Sequence, residues 1–366
     1  MRFSKDAKKK QWFILLLILG LLAATAFSGC APGPEPEGNG AEAPVDEAEE
    51  VDEADEAPAA YTGDPLQIYA AYGGLQEIMD AFTADTGIPV EFISMSSGEV
   101  LSRMRAERGR PLGDVWFGGG VDSFMVAAEE GLLEGYISPE AEHIETRFKD
   151  PDGYWTGVSI VLVTFVVNKD LAEELGIPIP QTWEDLLDPD LQGEILMPNP
   201  GISGTAFTAM ASIIQRLGEE DGWEYLALLD ENIPYYAERG SEPPNKASLG
   251  EVMVGISPDG VNAQREGYPV EVVYPTDGTA WWHSPVAIIS GTPNLEAAQR
   301  FVDWTLTEKG QEILAYNSPR PATRPGTPIP GDVPALETLN LVEYDFEKAA
   351  AERDAIVERW QENFAK

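Results

Sequence analysis

Residues 156–168 of this 366-residue chain read TGVSIVLVTFVVN, an uncharged run rich in β-branched side chains. The run does not alternate between apolar and polar residues, which predicts a β-rich crossing that is buried on both faces. Strands of this kind belong to sheets that are covered by helices. We therefore expect an α/β protein with helices on either side of this run.

The segments that precede this run alternate between strand and helix patterns. Residues 65–72 predict a first strand, and the apolar residues of 75–86 fall on one helical face before Gly87 ends the helix. Residues 90–93 predict a second strand and Glu99–Glu107 a helix that is opened by serines. Such alternation is typical of an α/β fold.

The N-terminus carries an export signal. Arg2 and four lysines precede an apolar run from Trp12 to Phe27, and the only cysteine of the chain, Cys30, follows. Small residues before a single cysteine resemble a bacterial lipobox, so we predict a lipoprotein signal peptide over 1–30 with Cys30 as the lipidated, membrane-anchoring residue. An ordinary secretory peptide and an uncleaved anchor are the alternatives.

Residues 31–60 contain eleven acidic side chains and no basic ones. Such a segment buries too little apolar surface to fold, so we predict a disordered acidic linker. The remaining body, from Tyr61 onward, has 19 basic against 51 acidic side chains. Nucleic-acid binding is excluded on this balance, because phosphate contacts need clustered Lys and Arg. An anion site in such a body is expected to use backbone amides and hydroxyls rather than formal positive charge.

Several short stretches resemble the type 2 periplasmic solute-binding proteins of ATP-driven (ABC) importers, in the branch of the ferric-ion-binding proteins. The resemblance covers nearly the whole body and rests on segments that occur in the family's order, namely residues 82–90, 129–133, 182–189, 201–206, 223–226 and 297–304.

This resemblance implies a fold of two α/β lobes, each a mixed sheet flanked by helices, joined by a strand hinge. The first lobe is expected over 61–162 and 278–325, and the second over 163–277 and 326–366 with the C-terminal helix. It also implies an exported, monomeric component of the cell envelope that closes on a small anionic ligand and delivers it to an ABC permease. No cofactor and no catalysis are expected.

Three places where strands run into turns are candidates for the ligand site, since they face a cleft in open α/β lobes. Ser203, Gly204 and Thr205 precede a helix predicted over Ala206–Leu217, where free N–H groups and hydroxyls would hold an oxyanion. In the family this motif holds a phosphate-like group, although simple N-capping is the alternative. Ser96 and Ser97 offer the same chemistry from the first lobe.

The other candidate residues come from turns that the family places at the ligand. Gly119 lies in the glycine turn after the third strand, and Asp277, Thr279 and Trp281 lie where the chain returns to the first lobe. Asp259 stands where sugar-phosphate-binding relatives tend to have His-Asp. Because Pro258 replaces that histidine, a hexose-specific site is disfavoured.

The ligand class follows from what this chain keeps and lacks of the family's sites. Iron binders of this family use a tandem tyrosine pair, a histidine and a glutamate, and the corresponding stretches here lack them, so we predict no metal site. Tyr235 and Tyr236 are a tandem pair outside the family's position. A phosphonate or organic phosphate, such as 2-aminoethylphosphonate or a sugar phosphate, is the expected ligand; ferric iron and thiamine or its phosphate are alternatives.

A secreted hydrolase is the alternative of a different class. His143 and His283 are the only histidines, and His283, beside two tryptophans, is the one candidate for a catalytic base. The G-x-S-x-G pattern of a nucleophile elbow is absent near the predicted strand ends. The sequence therefore favours a binding protein over an enzyme.

Overall fold

A computed structural model of the chain describes residues 61–258 and 260–364. The predicted signal peptide, Cys30, the acidic linker and Asp259 lie outside these residues. Among the described residues, no helix combines the length and the apolar character needed to span a membrane.

The strands are β1 (Leu66–Ala70), β2 (Val90–Ser94), β3 (Val115–Phe117), β4 (Leu133–Glu134), β5 (Thr156–Leu162), β6 (Thr164–Asn168), β7 (Ile195–Pro198), β8 (Tyr236–Ala237), β9 (Val254–Ser257), β10 (Val270–Val273) and β11 (Trp281–Ile289). The α-helices are α1 (Leu75–Thr86), α2 (Ser97–Ala106), α3 (Val121–Glu129), α4 (Lys169–Leu175), α5 (Gly204–Leu217), α6 (Glu219–Asn232), α7 (Glu242–Ser248), α8 (Gly260–Arg265), α9 (Leu295–Leu306), α10 (Glu308–Asn317) and α11 (Phe346–Phe364). Short 3-10 helices cover Pro139–His143, Thr146–Phe148, Glu184–Leu187, Pro189–Leu191 and Leu336–Thr338.

The strands form two mixed sheets. The first has the order β2-β1-β3-β11-β4, with β5 paired to β11, and the second has the order β10-β6-β9-β7-β8. In the first sheet β1 runs parallel to β2 and β3 while β11 is antiparallel to its neighbours. We call the first sheet with its helices the first lobe and the second sheet with its helices the second lobe. The predicted α/β class with two lobes is confirmed.

Residues 156–168 contribute one strand to each of the two sheets. The run divides at Val163 into β5, in the first lobe, and β6, in the second, and every residue of both strands is buried, as the sequence predicted. The backbone N–H of Val163 donates to the carbonyl of Ala280 at 2.8 Å. Ala280 lies in the segment that returns from β10 to β11, so the two crossings between the lobes are hydrogen-bonded to each other. The lobe boundaries at 162 and 278 stay predictions.

Helix positions agree with the sequence patterns except at two starts. The helix predicted over residues 75–86 is α1, with Ile78, Met79 and Phe82 on its buried face. Helix α2 begins at Ser97, two residues before the expected Glu99, and α5 begins at Gly204, two residues before the expected Ala206. In both cases a serine is the N-cap, so the small residues after it already belong to the first helical turn.

The C-terminal helix α11 contacts both lobes rather than the second lobe alone. It packs against α3 of the first lobe and α5 of the second. Arg353 of α11 donates to the carboxylate of Asp122 in α3 at 2.7 Å, and both side chains are buried. The same guanidinium lies 4.3 Å from the ring centroid of Phe207 in α5. We call this arrangement the α11 contact.

Candidate functional site

A cavity of about 130 Å³ lies between the two lobes. Residues that directly follow β1, β2 and β3 line it from one side, and residues that follow β7, β8 and β9 line it from the other. The carboxyl ends of these strands therefore converge on one cleft, the usual ligand position in α/β lobes. Six residues predicted from the sequence line this cavity: Ser96, Ser97, Gly119, Ser203, Gly204 and Thr205.

The start of α5 forms the second-lobe side of the cavity floor. The side-chain oxygen of Ser203 accepts from the backbone N–H of Ala206 at 3.5 Å, which is the capping role, while Ser203 also lines the cavity. Among the described residues, the backbone N–H groups of Gly204 and Thr205 have no protein acceptor. These two donors sit at the positive end of a 14-residue helix. Capping and anion binding are therefore compatible here, because they use different atoms.

The starts of α2 and α3 form the first-lobe side. The backbone N–H of Ser96 donates to the carboxylate of Glu99 at 2.7 Å, and the hydroxyl oxygen of Ser97 accepts from the N–H of Gly120 at 3.0 Å. Gly119 has a φ of 106°, and a Cβ there would lie 2.3 Å from the Ser97 hydroxyl oxygen. Only glycine fits that position without a shift. Ser97 therefore connects the start of α2 to the start of α3 and also lines the cavity.

The two lobes touch at the cavity floor. The N–H of Gly98 in α2 donates to the carbonyl of Ile202, just before α5, at 2.9 Å. A Cβ on Gly204 would lie 2.9 Å from the Ser97 hydroxyl oxygen and 3.0 Å from the Gly120 nitrogen. Three helix starts therefore meet within van der Waals distance, which is the arrangement expected of closed lobes.

The cavity lining includes two arginines that were not predicted from the sequence, Arg239 and Arg320. Arg320 is buried, and its guanidinium lies 4.9 Å from the ring centroid of Tyr72. Arg239 is exposed and lies in the loop between β8 and α7. The expectation of a site without formal positive charge is therefore corrected. The body has few basic residues, so an arginine in one of its loops is unusual. That feature of the sequence could have identified Arg239 and Arg320 as candidates.

The return strand β11 presents Trp282 and Ser284 to the cavity. The indole N–H of Trp282 donates to the carbonyl of Gly119 at 3.0 Å, and the hydroxyl oxygen of Ser284 accepts from the N–H of Gly119 at 3.0 Å. Because side chains alternate along a strand, the predicted Trp281 faces the other way. Its indole N–H donates to the carbonyl of Val342 at 2.9 Å, and its ring packs edge-on against Phe346.

The structure also leaves Asp277 and Thr279 outside the cavity lining. One carboxylate oxygen of Asp277 accepts from the backbone N–H of Trp183 at 3.0 Å, and the other lies 3.1 Å from the guanidinium of Arg216. The hydroxyl of Thr279, which is buried, donates to the carbonyl of Pro275 at 3.1 Å. Both residues stabilise the return connection. Asp259 is not among the described residues, although Pro258 beside it lines the cavity.

His283 lies on the face of β11 turned away from the cavity. It is buried between the rings of Phe148, Trp155 and Phe346, whose centroids lie 5.1–5.6 Å from its own. Burial, together with the positive charge of Arg147, lowers the pKa of His283 to about 3. Neither ring nitrogen has a hydrogen-bond partner among the described residues, so no serine is held as a nucleophile beside it.

The tandem tyrosines do not line the cavity. The hydroxyl of Tyr236 donates to Asp230 at 2.7 Å, and burial raises the pKa of this phenol well above its ordinary value. Tyr235 is exposed. The described residues contain no group of three or more His, Cys, Asp or Glu side chains placed to hold a metal ion.

Comparison with known proteins adds a family assignment to this geometry. A family model described as bacterial extracellular solute-binding protein matches residues 112–349. An uncharacterized protein of Haemophilus influenzae is 34% identical over 291 residues, which cover 76% of this chain and 84% of that protein. A putative 2-aminoethylphosphonate-binding periplasmic protein of Salmonella typhimurium is 23% identical over 300 residues, covering 77% and 85%.

Solved structures match over most of the body. The periplasmic binding protein AfuA from Actinobacillus pleuropneumoniae, solved with exogenous fructose-6-phosphate bound, has a TM-score of 0.79 and 34% identity, covering 82% of this chain and 98% of that one. Iron-bound HitA from Pseudomonas aeruginosa has a TM-score of 0.70 at 20% identity, covering 81% and 99%, which is a likeness of fold.

Proposed function

Because this chain belongs to the family of bacterial extracellular solute-binding proteins, which serve ABC importers, we propose that it captures a small phosphorylated or phosphonate-bearing molecule by closing its lobes and delivers it to a membrane permease. One observation carries the proposal. Three helix starts and two arginines converge on a single interlobe cavity, where the N–H groups of Gly204 and Thr205 have no acceptor among the described residues.

An anion is the ligand that such a cavity suits. Helix N-termini attract negative charge, and each hydrogen bond from a fixed N–H to a charged oxygen contributes about 1.5–3 kcal/mol. The guanidiniums of Arg239 and Arg320 add formal positive charge on the second-lobe and first-lobe sides. The same two guanidiniums would repel a ferric ion, which disfavours the alternative cargo.

The volume of the cavity limits the size of the ligand. A cavity of about 130 Å³ suits a small ligand, such as a short phosphonate or a small phosphate ester. The fructose-6-phosphate held by the similar AfuA structure supports a phosphate ester, and the similar Salmonella protein's name supports a phosphonate.

Closure follows from how the two sides are built. Ser203, Gly204 and Thr205 move with the second lobe, whereas Ser97 and Gly120 move with the first. An oxyanion on the start of α5 would be covered by the starts of α2 and α3 as the lobes meet. Trp282, held by Gly119, would then lie beside the organic part of the ligand.

The test is calorimetric titration of the full chain with fructose 6-phosphate, 2-aminoethylphosphonate, thiamine phosphate, inorganic phosphate and ferric citrate. We expect at least one of the four phosphorus compounds to bind. The double variant Ser203→Ala/Thr205→Ala should then weaken that binding at least about tenfold. Ser212→Ala is the matched control, because this hydroxyl on the same helix donates to the carbonyl of Ala209 at 2.8 Å, away from the cavity. Equal affinities for both variants would contradict the proposal.

We also propose that the mature protein is a monomer anchored to the membrane through a lipid on Cys30, as the small residues before this single cysteine suggest. Labelling of cells with a radioactive fatty acid tests the anchor. The wild-type chain should carry label and Cys30→Ser should not, while both should keep the same ligand affinity. Label on Cys30→Ser would contradict this anchor.

A further inference from the structure

Arg239 stands out among the described basic residues because it lines the interlobe cavity while its guanidinium has no partner among the described residues. Acidic side chains outnumber basic ones 63 to 24 in the chain. Most described arginines form an ion pair with an acidic side chain. Arg216, Arg324 and Arg353, for example, each lie within 3.1 Å of a carboxylate oxygen. The guanidinium of Arg239 makes no hydrogen bond or ion pair with any described residue, yet Arg239 lines the interlobe cavity.

The backbone around Arg239 is fixed by hydrogen bonds. The carbonyl of Gly240 accepts from the hydroxyl of Ser257 at 2.7 Å, and the carbonyl of Ala237 accepts from the N–H of Asn199 at 2.8 Å. A Cβ on Gly240 would lie 3.5 Å from the Thr205 hydroxyl oxygen. The loop therefore holds Arg239 one residue away from the start of α5 while its five N–H donors stay available.

The start of α5 does not need Arg239 to hold a first anionic group. The N–H groups of Gly204 and Thr205 and the hydroxyl of Thr205 already offer neutral donors there, and Ser97 lies opposite. A guanidinium is the side chain suited to a planar carboxylate or to a further phosphate, which it binds through two parallel hydrogen bonds.

Building on the proposed function, we infer that Arg239 is a specificity-determining residue that binds a second acidic group of the ligand. The substrate class is then a small molecule with two acidic groups, such as a phosphorylated carboxylic acid or a bisphosphate. A phosphate ester of a neutral alcohol lacks a partner for Arg239, and a phosphonate with an ammonium group places a positive charge near it. Both are expected to bind more weakly.

A matched pair of ligands tests this inference. In 3-phosphoglycerate a carboxylate replaces the terminal hydroxymethyl group of glycerol 3-phosphate, so the two differ at the end remote from the phosphate. We expect the wild-type full chain to bind 3-phosphoglycerate at least about tenfold more tightly. Arg239→Gln should remove that preference, with a loss of affinity for 3-phosphoglycerate at least about fivefold greater than the loss for glycerol 3-phosphate. Arg300→Gln, which removes the same charge at an exposed residue only 3.8 Å from Glu296, should change neither affinity.

Each other outcome has a separate meaning. Equal wild-type affinities for the two ligands would overturn the second acidic group while leaving the proposed function intact. An equal loss of both affinities in Arg239→Gln would mean that Arg239 contacts the phosphate itself, and would also overturn the inference. If neither ligand nor any other phosphorus compound binds the wild-type chain, the proposed function fails instead.

Discussion

The cavity floor and the α11 contact are both places where the two lobes meet, and they treat their polar groups differently. At the α11 contact the guanidinium of Arg353 lies 2.7 Å from the carboxylate of Asp122 and 4.3 Å from the ring centroid of Phe207. At the cavity floor the N–H groups of Gly204 and Thr205, and the guanidinium of Arg239, have no partner among the described residues.

This difference separates structural polar groups from those available to a ligand. A buried charge without a partner costs several kcal/mol, so a buried arginine that serves only the fold is paired, as Arg353 is. Donors that line an open cavity can hydrogen-bond to solvent until a ligand arrives, so they cost little without a protein partner. The hydrogen-bond partners of a serine or an arginine, rather than its residue type, therefore indicate whether it has a structural role or is available to a ligand.

The largest effect is expected at the α11 contact. Arg353→Met should leave the buried carboxylate of Asp122 uncompensated and lower the free energy of unfolding by about 3–5 kcal/mol. The double variant Asp122→Asn/Arg353→Met should recover much of this loss, because no unpaired charge remains. Urea unfolding measures both. If Arg353→Met unfolds at the wild-type midpoint, the distinction between the two regions does not hold.

The buried His283 provides the next largest effect, through pH. Its pKa is lowered to about 3 by burial and by Arg147, whereas the unfolded chain titrates near 6.5. As the pH falls below 6.5, His283 becomes protonated in the unfolded chain but stays neutral in the folded chain. The free energy of unfolding therefore falls by about 2 kcal/mol between pH 7 and pH 5. His283→Phe should lose this part of the pH dependence. His143→Gln, at an exposed histidine, should keep it.

Lobe closure can be tested at Gly98. A Cβ there would lie 2.7 Å from the carbonyl oxygen of Gly201 and 2.9 Å from that of Ile202, both on the opposite lobe. We expect Gly98→Ala to weaken binding of the ligand identified by titration about tenfold, because the added methyl group prevents full closure, with little change in unfolding midpoint. Gly331→Ala is the control, because a Cβ at that position has open space around it. Unchanged affinity would mean that the closed contact is not part of binding.

The smallest effect is expected at Asp277. Its ion pair with Arg216 is partly exposed, and an asparagine oxygen can still accept from the N–H of Trp183. Asp277→Asn should therefore lower stability by no more than about 1 kcal/mol. Ligand affinity should not change, since Asp277 lies outside the cavity lining. A loss of affinity above about fivefold would contradict this and would indicate that Asp277 takes part in ligand binding.

The sequence was sufficient where the signal is local. Helix α1 was predicted from its periodic apolar residues and Gly87, and the starts of α2 and α5 were placed within two residues by the serines and glycines before them. Tertiary structure was needed elsewhere. Strand register decides that Trp282, not Trp281, faces the cavity, and Arg239 has no motif that distinguishes it from a surface arginine. The carboxylate partner of Arg353, Asp122, is 231 residues away in the sequence.

Titration with paired ligands tests most directly whether the interlobe cavity holds an acidic phosphorus group. The full chain would be titrated with 3-phosphoglycerate and glycerate, with fructose 6-phosphate and fructose, with 2-aminoethylphosphonate and ethylamine, and with ferric citrate. We expect at least one phosphorus-bearing member to bind and its parent compound not to bind. Equal binding of a compound and its parent, or binding of ferric citrate alone, would contradict this expectation.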